Sequence, residues 1–156
     1  VSLYGSISMR FLFLIALLVA TPSAFAQGLD KEGAIDTIVG SDVTTGEEAA
    51  NKDEGRIIKA IENSSAAAAA VRRKFSLDKV EIVFIPDLDD KDTQIEAKLE
   101  QYKPQVTELR ESIQGSAMFY HAVDSRSVQL NDILALEFDD NNGVTIFVKG
   151  RNPEGE

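Results

Sequence analysis

Hydrophobic positions divide the chain into three stretches with different periods. Residues 11–20 are ten consecutive apolar side chains, from Phe11 to the alanine at 20. Residues 27–52 follow neither a helical nor a strand period; they are acidic and glycine-bearing, and read as a flexible N-terminal arm. Within that arm only the run at 34–39, with Ile35, Ile38 and Val39, is sticky enough to pack as an edge strand. From Asp53 onward the pattern becomes that of a folded domain.

Ile57, Ile58, Ile61, Ser65, Ala68, Val71 and Phe75 recur every three or four residues, one stripe of a helix capped by Asp53. Five alanines at 66–70 favour that helix, Arg72, Arg73 and Lys74 suit its C-terminal dipole, and Asn63-Ser64-Ser65 is its weak point. The alanine face is smooth, so either the domain's own sheet or a second copy must approach it closely. Ala66, Ala67 and Ala70 are therefore candidate interaction residues. Residues 79–85 predict a strand apolar on both faces except at Glu81, stopped by Pro86.

Thr93 and Glu96 have the spacing of a capping box. The stripe Ile95, Leu99, Tyr102, Val106, Leu109, Ile113 then predicts one long helix, kinked at Pro104 and stopped at Gly115. Ser116 can cap a short third helix over 117–123. Val128 and Leu130 point inward from a connector. Two β-rich runs, 133–138 and 144–149, flank Asn142-Gly143 and predict a hairpin.

The order helix, strand, helix, helix, strand, strand implies an α+β fold: a small two-layer domain whose three-stranded sheet is packed by helices on one face. The expected divisions are a leader at 1–26, an acidic arm at 27–52, one domain at 53–150 and a disordered tail at 151–156. Strand alternation groups Ile133 with Phe147, opposite Leu134, Leu136 and Phe138. Left uncovered by the first helix, that face would promote self-association.

The apolar decapeptide is half the length a membrane-spanning helix needs. Arg10 precedes it, and Pro22 and the triplet Ala24-Phe25-Ala26 follow, the three parts of a cleavable signal peptide. Small side chains at Ala24 and Ala26 place the cut before Gln27. Met9 is the plausible initiator, so residues 1–8 are set aside as non-native or misannotated. These features imply export to the periplasm or beyond the cell, with no membrane span in the mature chain.

Charge and composition narrow the chemistry. The formal charge is −10 with 26 acidic side chains, a surface that repels nucleic acid and anionic lipid. No cysteine is present, which excludes disulfides, thiolate catalysis and cysteine-based zinc sites. His121 is the single histidine; Ser116, Ser125, Ser127 and Asp124 are near it in sequence, but no nucleophile elbow accompanies them, so a hydrolase is the weakest reading.

Asp87, Asp89, Asp90 and Asp92 form the densest acidic cluster, between the buried strand and the capping box. Alternating loop carboxylates can converge on calcium, yet Lys91, Asp92 and Lys98 break the EF-hand pattern, and acids near a helix N-terminus also complement its dipole. Asn63-Ser64-Ser65 matches a glycosylation sequon but falls within a predicted helix. The expectation is a non-catalytic module that binds a protein or envelope component and can self-associate, with weak calcium binding as the alternative.

Overall fold

The computed structural model describes residues 42–88 and 94–155. The leader with its cut at Ala24, Ala26 and Gln27, the run at 34–39, the capping residue Thr93, and Asp89, Asp90 and Asp92 all lie outside the described residues.

Among the described residues four strands and five α-helices make an α+β fold, confirming the class and correcting the strand number. They are β1 (Asp42–Glu47), α1 (Glu54–Glu62), α2 (Ser64–Val71), β2 (Lys79–Ile85), α3 (Ile95–Gln101), α4 (Lys103–Gln114), α5 (Ala117–Asp124), β3 (Ile133–Phe138) and β4 (Gly143–Lys149). A short 3-10 turn, Leu130–Asp132, leads into β3. The sheet order is β1-β2-β4-β3; β1, β2 and β4 are parallel, and β3 is antiparallel to β4.

The extra strand is β1, within the stretch read as an arm. Its sequence, DVTTGE, has almost no apolar alternation. It is a strand because β2 offers it a ladder, with Asp42 opposite Lys79 and Glu47 opposite Phe84. Its outer flank is held by side chains: Arg126 Nη2 donates to the Val43 carbonyl at 2.9 Å, the Asn152 amide N–H donates to Glu47 Oε1 at 2.6 Å, and Asn152 Nδ2 donates to Thr45 Oγ1 at 3.3 Å. The C-terminal tail, expected to be disordered, is thus tied to this edge through residue 154.

Both faces of the sheet are buried, not one. Val80, Ile82 and Phe84 of β2 join Val144, Ile146 and Val148 of β4 in a core closed by Ala67, Ala68, Leu109, Ile113, Phe119 and Val123. The alternate positions Val83, Ile85 and Phe147 meet Ile57, Ala60, Ile61 and Ile95 in a second core. A register shift between Ile133 and Ala135 places Ile133 in the first core, while Leu134 joins Phe147 in the second. That bulge overturns the expected pairing of Ile133 with Phe147, since one extra residue reverses strand alternation.

Both long predicted helices are split. The first breaks at Asn63, whose backbone (φ −90°, ψ 8°) leaves the helical region. The second divides at Tyr102, and Pro104 falls in the first turn of α4, where its missing N–H has no helical partner to lose. The apolar stripe therefore does not keep one face: Val106 enters the second core, and Leu109 and Ile113 the first. α4 passes the free edge of β3, where Arg110 Nε and Nη2 both donate to the Ile133 carbonyl at 2.9 and 2.7 Å.

The hairpin forms as expected. Asp139 Oδ1 accepts the N–H groups of Asn141 and Gly143, both at 2.8 Å, and Asn142 takes the left-handed conformation (φ 57°).

α2 packs against α4 and β3, so the neighbour of the alanine face is the chain itself. Ala67 and Ala68 are buried there and Ala66 is exposed. Ala68→Leu is expected to lower stability by about 1–3 kcal/mol through overpacking, and Ala66→Leu to stay within about 0.5 kcal/mol. Urea unfolding of the two variants measures both.

Candidate functional site

The parallel strands give the sheet two distinct ends. At the carboxyl end lie Glu47, Ile85 and Lys149; at the amino end, Asp42, Lys79 and Gly143 share one register line. Ligands of parallel sheets commonly bind beyond the carboxyl ends, and the loop bearing Asp87 emerges there. Asp87 is committed to structure, however, since its Oδ1 accepts the Ala50 N–H at 2.8 Å. That bond joins the β1–α1 loop to the β2–α3 loop. Among the described residues no three or more His, Asp or Glu side chains converge to hold a metal ion.

Near the start of α1, Glu48 has the Asp53 carboxyl as a neighbour. Proton sharing with Asp53 first, then burial, then the charge of Asp53 raise the Glu48 pKa above the ordinary carboxylate value. Arg56 turns from Asp53 toward Glu137, which it pairs with directly, and its guanidinium lies 5.2 Å from the Phe147 ring centre. The hydrogen bond to Glu137 raises the Arg56 pKa, so the cation is fixed. This group closes the second core; it forms no open cleft.

The sequence-derived surface residues are dispersed. Ile133 and Phe147 are fully enclosed on opposite faces of the sheet: Phe147 lies in the second core under α1, and Ile133 in the first core with Leu109 and Ile113 of α4. Ala67 is buried, Ala70 half-buried and Ala66 exposed beside Lys59, Asn63 and Phe138. His121 is half-buried on α5, and the Ser125 hydroxyl is committed to the Ala122 carbonyl at 3.0 Å. Asn63 stands exposed at the helix break, not within a helix.

Among the described residues two large hydrophobic side chains are exposed, Tyr120 in part and Phe75 almost wholly. Phe75 is 94% exposed, although the spacing of the first helix put it on the buried stripe. The helix stops at Val71, and Lys74 then anchors the link to β2: its Nζ donates to Asn142 Oδ1 at 2.6 Å and lies 5.4 Å from the Phe138 ring centre. Phe75 is left on the lip of a groove of about 600 Å³, lined by Val71, Arg72, Glu108, Ser112, Gly115 and Ser116. The signal for its exposure was in the sequence: three successive cations end the helix before Phe75.

Part of the polar wall of the groove is bonded within itself, while Glu111 also lines it as an exposed carboxylate. Arg72 donates to Ser112 Oγ at 2.6 Å and Glu108 Oε1 at 2.9 Å, and Ser65 donates to Glu108 Oε2 at 3.0 Å. Arg72 first, then Ser65, hold the Glu108 pKa below its usual value. The groove thus pairs the bonded Arg72, Ser112 and Glu108 with an exposed aromatic ring.

The raised Glu48 pKa gives a signed expectation. The folded state binds that proton more tightly than the unfolded chain, so stability falls as pH rises through the interval above 4.5. Glu48→Gln should remove this fall, and Tm measured from pH 4 to 7 in both forms tests it; parallel curves reject the carboxyl pair. Comparison with family models, curated proteins and solved structures found no match.

Proposed function

We propose that the chain is an exported, non-catalytic binding module that holds an apolar peptide segment of a protein partner in the Phe75 groove. The observation that carries this reading is the 94% exposure of Phe75 beside a groove along which Arg72 is bonded to Ser112 and Glu108. Aromatic side chains supply most of the contact energy of protein interfaces when they enter a desolvated pocket. An isolated exposed ring would carry little weight, but this ring has a concave neighbour. The leader inferred from the sequence puts the encounter outside the cytoplasm, and the acidic surface favours a protein partner over nucleic acid. Among the described residues no helix is long and apolar enough to cross a membrane.

Photo-crosslinking tests the site. A photoreactive aromatic residue at position 75 should capture a discrete partner in the native compartment, and the same group at exposed Glu100 should not. Phe75→Asp should abolish capture by neighbouring reporters while changing stability by no more than about 0.5 kcal/mol, as expected of a surface position. Equal capture at both positions rejects the groove.

The second reading is calcium binding by the loop of Asp87, Asp89, Asp90 and Asp92, favoured by its place at the carboxyl end of the central parallel strand. Millimolar calcium should then raise Tm, and Asp89→Ala with Asp90→Ala should cancel the rise. No rise with calcium ends this reading.

A further inference from the structure

We propose that the open edge of β1 is a docking site for an extended, cation-bearing segment of a partner protein, which joins the sheet as a further strand. This surface is separate from the Phe75 groove.

The ladder fixes which backbone groups are available. Asp42 and Glu48 donate their N–H groups to the carbonyls of Asp78 and Phe84, at 3.2 and 2.9 Å. Backbone groups alternate in direction along a strand, so Asp42, Thr44, Gly46 and Glu48 turn theirs toward β2. Val43, Thr45 and Glu47 turn theirs outward. The bond from Arg126 Nη2 to the Val43 carbonyl, on the outer side, agrees with this parity. Among the described residues nothing bonds the backbone N–H and carbonyl of Thr45 or Glu47. Asn152 reaches only their side chains. A Cβ added at Gly46 would meet nothing within 4 Å, so the flank is open there. The opposite edge of the sheet differs. Ile133, Leu134, Ala135 and Leu136 of β3 are buried, and Arg110 closes the Ile133 carbonyl.

A row of unpaired N–H and C=O groups is a template for an extended backbone. Charge then selects the side chains. Asp42 and Glu47 are exposed at the two ends of the edge, about 17 Å apart along the strand, and Glu154 lies beside Thr45. Two neighbouring cations are already paired, Arg126 with Glu154 and Lys79 with Glu81. Past Glu47 the edge runs into a recess of about 390 Å³ lined by Arg151, Asn152 and Pro153, which gives the end of an incoming strand room. A second copy fits poorly. Each chain carries a formal charge of −10, and antiparallel self-pairing about Thr45, which opposes all the outward residues, sets Asp42 against Glu48 twice. A partner segment with a lysine or arginine at each end of an extended run meets both carboxylates.

The probe is an acetylated and amidated hexapeptide with lysine at both ends and alternating threonine and valine between. It is titrated to millimolar concentration into the full chain and followed by NMR. Saturable shifts should centre on the amides of Val43, Thr45 and Glu47, and hydrogen exchange at Thr45 and Glu47 should slow. The same peptide with glutamate at both ends should bind about tenfold more weakly. Thr45→Pro removes an outward N–H without breaking the ladder to β2, and should also weaken binding about tenfold. Thr45→Val loses the same hydroxyl but keeps the N–H, and should bind as the unaltered chain does. Should Thr45→Pro fail to fold, Asp42→Lys with Glu47→Lys decides the matter, because that variant should prefer the glutamate peptide.

Shifts centred elsewhere, no saturable binding, equal affinity for the two peptides, or Thr45→Pro binding like Thr45→Val each overturn the inference. Phe75→Asp should leave this binding unchanged; if it abolishes binding, the peptide sits in the groove and the edge is not the site. Failure of the groove reading itself is seen separately, as position-independent photo-crosslinking.

Discussion

β2 is the constraint from which the rest of the structure follows. It has parallel neighbours on both edges, and Val80, Ile82 and Phe84 face one core while Val83 and Ile85 face the other. A strand buried on both faces needs apolar cover on each side, and parallel neighbours can be reached only by crossovers long enough to carry helices. The first crossover supplies α1 and α2. The second supplies α3, α4 and α5. The splitting of both helical stretches allows one crossover to serve two faces: α1 closes the second core and α2 the first, with Asn63 the turning point between them.

The same arrangement explains how several polar side chains are used. Several polar side chains hold elements together. Asp87 joins two loops, Arg110 satisfies the carbonyl of Ile133 at the free edge of β3, and Arg126 satisfies the Val43 carbonyl at the edge of β1. Arg72, Ser112, Glu108 and Ser65 link α2 to α4. A charge with its hydrogen bonds already satisfied gains little from a ligand. Phe75 stands apart because the link that carries it is fixed by Lys74, one residue earlier, and its ring has no such engagement.

Legibility in the sequence followed the range of the forces involved. The hairpin at Asp139–Gly143 was readable because turn chemistry is local, and the strand at β2 because apolar residues on both faces permit few other fates. β1 was not readable. Val43, Thr44, Thr45 and Gly46 carry no amphipathic period, and the strand exists only because a partner ladder is present. Phe75 was misplaced because helical spacing was extended past the point where Arg72, Arg73 and Lys74 end the helix. The burial of Ile133 and Phe147 in different cores depended on a bulge that no local pattern marks.

By itself the sequence determined the α+β class, the positions of the main helical and strand-forming runs, the tight turn before β4 and the lack of thiol chemistry. Each of these follows from side-chain period, turn propensity or composition, properties carried by neighbours along the chain. Tertiary structure alone decided the fourth strand, the burial of both sheet faces, the division of the helices and the exposure of Phe75. Those outcomes depend on which distant segment supplies a ladder hydrogen bond or a packing surface, and such pairings are set by the folded whole.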